Sequence, residues 1–121
     1  MVNFVLILVG VLLNAVAQLM LKKGMLLIGS IQVSVDAILN MLPKLISNLY
    51  IWGGISCYII SVLVWLVVLS RVEVSYAYPF LSIGYILTAF VGYYFLGESM
   101  SAYKISGIFV ICLGIALLYK S

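Results

Sequence analysis

Four residues of the first apolar stretch stand one helical turn apart: Gly10, Asn14, Gln18 and Lys22. At steps of four they form one ridge along a helix. The ridge ends on a cation, and its two amides offer donors and acceptors to a polar ligand. Facing lipid, Asn14 and Gln18 would leave those groups unpaired, so they must face protein or water. Two roles fit: hydrogen bonds that join helices, or the lining of a path for a polar substrate. Two more stripes have the same character. Gly54, Tyr58, Ser61 and Trp65 share one face of a second apolar stretch. In a third, Ser75, Tyr78, Ser82 and Tyr85 alternate steps of three and four and lead to Ala89 and Gly92. Aromatics at this spacing pack well, but hydroxyls and small residues beside them suit a partly wet cavity.

Parts for bond-making chemistry are missing. The chain has no His, and Cys57 and Cys112 lie in apolar runs with no carboxylate nearby. That supply excludes Cys–His catalysis and a metal site, and it calls for no cofactor. The two thiols are expected to be buried structural groups. Without a spaced carboxylate pair or a nucleophile beside a base, the chain does not read as an enzyme.

The elements that position these stripes follow from composition. The chain is 67% hydrophobic and 7% charged, with mean hydropathy +1.36. Six basic and three acidic side chains cannot cover a globule of 13.3 kDa in water; a soluble domain carries about 25% charged residues. Most of this chain is therefore solvated by lipid. Crossing the hydrocarbon core takes roughly 20 apolar residues, and four stretches qualify: residues 2–21, 49–70, 74–96 and 102–119. The sequence thus predicts an all-α membrane protein, one domain of four transmembrane helices. The short connections 71–73 and 97–101 make the last three spans antiparallel neighbours. Ser101 is placed to cap the fourth span, and Lys104 near its start can reach the headgroups with its stem along the helix.

The first connection, residues 22–48, is different. Ile31, Val35, Ile38 and Leu42 share one helical face there, and Gln32, Asp36 and Asn40 the opposite one. This spacing predicts an amphipathic segment that lies in the membrane interface or extends the second span inward, as connector or gate, interrupted at Pro43. In the third span Pro79 removes the bond to the Ser75 carbonyl, and Gly84 adds a second soft point; these two are the hinge candidates. In the fourth, Gly107 and Gly114 with Ile111 between them leave a flat groove for another helix, which predicts a dimer interface. The net charge of +3 comes from scattered residues, so no nucleic-acid partner is expected. Lys22, Lys23, Lys44 and Lys104 lie on one side of the membrane, and Arg71 and Lys120 on the other. This excess places the first and third connections in the cytoplasm and both termini outside; an excess so small also suits a chain inserted both ways.

The run from Gly107 to Ile115, Gly-Ile-Phe-Val-Ile-Cys-Leu-Gly-Ile, is similar to the fourth-helix dimerisation segment of the small multidrug resistance transporters, a branch of the drug/metabolite transporter superfamily. Lys22, shortly after a polar first helix, fits as well. At position 14 those exporters carry a membrane-embedded glutamate that binds protons and cationic drugs in turn. Asn14 cannot titrate, so the resemblance implies their bundle without that exchange. A closer resemblance runs through Val64-Trp65-Leu66-Val67-Val68-Leu69 and the following Val72–Ser82, Val-Glu-Val-Ser-Tyr-Ala-Tyr-Pro-Phe-Leu-Ser. With Ala17-Gln18-Leu19 and the Gly97-Glu98 turn, these resemble the small subunits that flip undecaprenyl-phosphate-linked 4-amino-4-deoxy-arabinose. The resemblance implies a multi-pass protein of the bacterial inner membrane, a polyprenyl-phosphate-linked sugar as lipid partner, and a dimer with itself or a paralogous small subunit. Asn14, Gln18, Lys22, Tyr58, Trp65, Tyr78, Ser82 and Tyr85 are the candidate substrate-binding residues, with Lys22 meeting the phosphate. Two alternatives stay open at this point. A small cation exporter would need a buried acid, and Asp36, Glu73 and Glu98 all fall in connections. A non-transporting accessory subunit would not depend on the stripes.

Overall fold

The computed structural model describes residues 2–121 and, among them, contains helices and no strands. Four helical stretches are long and apolar enough to span a membrane. The first, α1, runs Val2–Ile28 and passes the expected limit at Leu21. Nothing in Lys22–Ile28 breaks a helix, and Gly29, at φ +100°, does. Its N–H donates to the Met25 carbonyl at 2.8 Å and closes the last turn.

The amphipathic segment is α2, Val35–Ile46, capped by Ser34, whose Oγ accepts from the Ala37 N–H at 3.2 Å. Asp36 in its first turn and Lys44 in its last complement the helix dipole. The expected interruption at Pro43 does not occur: Pro43 lies inside the helix, and the Ser47 N–H donates back to its carbonyl at 3.1 Å. The bond a proline deletes is the one to the Leu39 carbonyl, four residues back. Leu39 is exposed, so water or headgroups can satisfy that oxygen. Ile31 and Gln32 lie before the helix begins. The apolar face is Val35, Ile38, Leu39, Leu42 and Ile46, and none of it is buried.

The second span is α3, Leu49–Leu69. Asn48 starts it and also ties it to α1. Its Oδ1 accepts from the N–H groups of Tyr50 and Ile51 at 2.9 and 3.3 Å, and its Nδ2 donates to the Gly24 carbonyl at 3.2 Å. Further along the seam the backbones approach closely, and a Cβ on Gly54 would stand 3.0 Å from the Ala17 carbonyl oxygen. The third span is divided at Pro79 into α4 (Val74–Ala77), a 3-10 turn (Tyr78–Phe80) and α5 (Leu81–Phe95). The fourth is α6, Ala102–Lys120, opened by Ser101, whose Oγ accepts from the Lys104 N–H at 3.1 Å.

Ile7 and Val11 of α1, Val68 of α3, and Ala77 and Phe80 at the break form the buried core. The proline break therefore sits in the best-packed part of the molecule. By contrast α6 is loosely held. Only Ile108 of it is buried, and the Tyr119 ring meets Phe4 edge-on at 5.1 Å between centroids. Cys57 is half-buried and Cys112 exposed, so the expectation of a buried thiol fails for Cys112, which lies on the open side of α6.

Candidate functional site

The ridge on α1 separates two cavities, and Asn14 and Gln18 line both. Neither amide forms a hydrogen bond to another described residue. Within this chain the two amides therefore do not join helices; their donors and acceptors stay available to the cavities.

The smaller cavity, about 300 Å³, lies between α1, α3 and the start of the broken third span. Gly10, Asn14, Gln18, Tyr58, Ser61, Trp65 and Tyr78 line it. Gly10 leaves room for Trp65, whose ring would stand 3.5 Å from a Cβ at that position. Ser61 donates to the Tyr58 carbonyl at 2.6 Å, so its hydroxyl proton is turned back into its own helix. This cavity carries hydroxyls, amides and aromatic faces but no charged group.

The larger cavity, about 540 Å³, lies between α1, α5 and the turn into α6. Asn14, Gln18, Lys22, Tyr85, Thr88, Glu98 and Lys104 supply its polar lining. Its charged mouth is built by the Gly97–Ser101 turn. Gly97, at φ +72°, reverses the chain after α5, and the Glu98 N–H donates to the Gly92 carbonyl at 3.0 Å. This folds the Glu98 side chain over Gly92, where a Cβ would stand 2.5 Å from Oε1. The carboxylate then faces α1, with Oε2 3.9 Å from Lys22 Nζ. Their side chains stay 39% and 50% exposed, so this pair is worth at most about 1 kcal/mol. Lys104 reaches the same mouth and donates to the Ser99 carbonyl at 2.8 Å.

Of the residues expected to bind substrate, Asn14, Gln18, Lys22, Tyr58, Trp65, Tyr78 and Tyr85 line one or both cavities, while Ser82 lines neither. The stripe of the third span does not hold together. Tyr78 belongs to the smaller cavity and Tyr85 to the larger, and Ser75 borders a separate surface hollow with Arg71, Glu73 and Tyr76 at the opposite membrane face. Ser75 parts from the rest by depth, at the end of the span beside the 71–73 connection, and the 3-10 turn shifts Ser82 and Tyr85 relative to Tyr78. That turn advances about 120° per residue instead of about 100°, so three residues turn the helix roughly 60° out of phase. Pro79 lies in that turn, and α5 runs unbroken through Gly84, which packs against Val11 of α1. Gly107 and Gly114 have nothing within 4 Å of a built Cβ, and Ile111 between them is half-buried.

Thr88, Glu98 and Lys104 are cavity residues that the α1 ridge and its companion stripes do not include. Thr88 falls one turn after Tyr85 and was legible as a continuation. Glu98 and Lys104 depend on how the turn after α5 closes, for which Gly97 is the local signal.

No family model matches the chain, and no solved structure gives a significant match. Curated proteins do. The chain is 34% identical to the probable 4-amino-4-deoxy-L-arabinose-phosphoundecaprenol flippase subunit ArnF of Shewanella sediminis (strain HAW-EB3), over 93% of this chain and 84% of that protein. It is 33% identical to the ArnF subunit of Enterobacter sp. (strain 638), over 91% of this chain and 88% of that one. A shorter similarity, 35% over 56% of this chain and 60% of the other, links it to the subunit ArnE of Pseudomonas savastanoi pv. phaseolicola.

Proposed function

From the premise that this chain belongs to the family of ArnF flippase subunits, we propose that it is one subunit of a flippase for an undecaprenyl-phosphate-linked sugar. It is a multi-pass protein of the bacterial inner membrane, and its work is translocation, with no bond made or broken. The observation that carries the reading is the Asn14–Gln18 ridge, shared by two cavities and ending at Lys22. A lipid-linked sugar has an uncharged or amino-bearing ring and a phosphate. Hydroxyls, amides and the faces of Tyr58, Trp65 and Tyr78 suit the ring. Lys22 suits the phosphate, which is costly to bury in low dielectric without a counter-charge.

The partner is a paralogous small subunit, since relatives of both kinds, ArnF and ArnE, match this chain. The joint runs along α6 at Gly107, Ile111 and Gly114, where a neighbouring backbone can come close. No carboxylate lies within a span. A downhill flip, driven by use of the lipid on the far side, needs none.

Binding of a short-chain polyprenyl-phosphate sugar to the protein in nanodiscs tests the reading. Lys22→Gln should weaken binding clearly. Lys23→Gln, about 100° around the helix, should weaken it less. Equal losses mean a diffuse surface attraction, and no loss at Lys22 removes it from the site.

A further inference from the structure

The mouth of the larger cavity has a fixed charge count. Its charged lining residues are Lys22, Lys104 and Glu98, two cations and one anion, contributed by α1, α6 and the turn between α5 and α6. We propose that Glu98 is a specificity residue: it sets the mouth to accept a phosphodiester, which carries one negative charge, and to reject phosphomonoesters and diphosphates, which carry more. This deepens the proposed flippase function and rests on the phosphate entering at Lys22.

With Glu98 in place the mouth carries one net positive charge. In a sugar joined to a polyprenol through a single phosphate, that phosphate is a diester with one negative charge, which brings the mouth to neutrality; an amine on the sugar lies on the ring, outside this count. A bare polyprenyl phosphate is a monoester, close to doubly charged above the second ionisation near pH 6. It leaves one unmatched negative charge beside the Glu98 carboxylate, and a diphosphate leaves more. A net positive mouth attracts the dianion too, but the hydration lost on partial burial grows with the square of the charge, and Glu98 lowers the positive potential that would offset it. Before transport the lipid is a diester and after loss of its sugar a monoester, so the same count separates loaded carrier from spent carrier.

The geometry fits this role. Glu98 lies on the cavity side of the turn, held by its own N–H on the Gly92 carbonyl and folded over Gly92, which has no side chain to displace it. Its contact with Lys22 is long and half-exposed, at 3.9 Å, so the lysine can turn to an incoming phosphate while the carboxylate remains. Lys104 is fixed from the other side by the Ser99 carbonyl.

The test measures affinities of the protein in zwitterionic nanodiscs at pH 8 for three short-chain polyprenyl lipids: a phosphodiester of an uncharged sugar, the phosphomonoester and the diphosphate. The wild type should prefer the diester about fivefold over either of the others. Glu98→Gln should bind all three and remove most of that preference, mainly by gaining the multiply charged lipids. Gly92→Ala keeps every charge but pushes the carboxylate from its place, and it should move the preference the same way. Lys104→Gln should weaken all three lipids, the diphosphate most. A diester preference unchanged in both Glu98→Gln and Gly92→Ala overturns the charge count while leaving the flippase reading intact. A wild type that binds none of the three lipids overturns both.

Discussion

Two adjacent glycines on α3 face the same helix, and they should respond to alanine in opposite ways. In a helix interior, Gly→Ala gains about 1 kcal/mol from conformational preference, and overpacking a close contact costs about 1–3 kcal/mol. At Gly53 the new methyl would meet the end of the Met20 side chain. A thioether on three rotatable bonds can turn aside, so the gain survives. At Gly54 the methyl would stand 2.8 Å from Leu21 Cγ and 3.0 Å from the Ala17 carbonyl oxygen. A backbone oxygen cannot rotate away, and α1 and α3 must part along the seam that Asn48 closes at its end. Gly53→Ala should thus be neutral or more stable by up to about 1 kcal/mol, and Gly54→Ala less stable by up to about 2 kcal/mol once the same gain is subtracted. Reversible unfolding in mixed micelles with increasing dodecyl sulfate, at dilutions where only monomer is present, gives both values. Equal stabilities, or Gly54→Ala the more stable, would refute the close approach of these two backbones.

Asn48→Ala removes both the cap of α3 and the bond to the Gly24 carbonyl, so it should cost about 1–2 kcal/mol in the same unfolding assay, and Asn48→Asp, which keeps the cap alone, about half of that. Gly107→Leu and Gly114→Leu, on the open side of α6, should leave monomer stability unchanged and abolish association with the partner subunit in crosslinking; retained crosslinking in both variants places the joint elsewhere. Cationic drugs added to purified protein near neutral pH should release no protons, because no acid lies within a span; stoichiometric release that vanishes in Glu98→Gln would restore the cation-exporter reading.

The spans were legible because hydropathy alone decides them, and lipid leaves few alternatives to a helix for an apolar run of this length. Their ends were less legible. Lys22 and Lys23 read as a boundary, yet α1 passes through them, since a charged residue does not stop a helix and a left-handed Gly29 does. Pro43 read as an interruption because the rule assumes that the freed carbonyl has nowhere to go, and at an exposed interface it has. On α1 and α3, where the helices are unbroken, spacing put Asn14, Gln18, Tyr58 and Trp65 on the cavities. On the third span that spacing does not hold across Pro79, and Ser82 lies off both cavities. Lys104 shows the other limit. Its role depends on a turn that brings a fourth helix to a ridge on the first, and no periodicity within one helix contains that information.

The lengths of the helices differ in a way that bears on the membrane itself. With 27 residues, α1 is about 40 Å long. On α6 the two lysines, Lys104 and Lys120, have Cα atoms only about 24 Å apart, short of a hydrocarbon core of about 30 Å. Lipid beside α6 must thin, or both ammonium groups must stretch outward, at a cost of a fraction of a kcal/mol per Å of mismatch. Lys104, at one end of this short interval, also stands in the charged mouth. Where the lipid thins, a polar group at that mouth has less hydrocarbon to cross, so the barrier depends on deformed lipid as well as on the cavity walls.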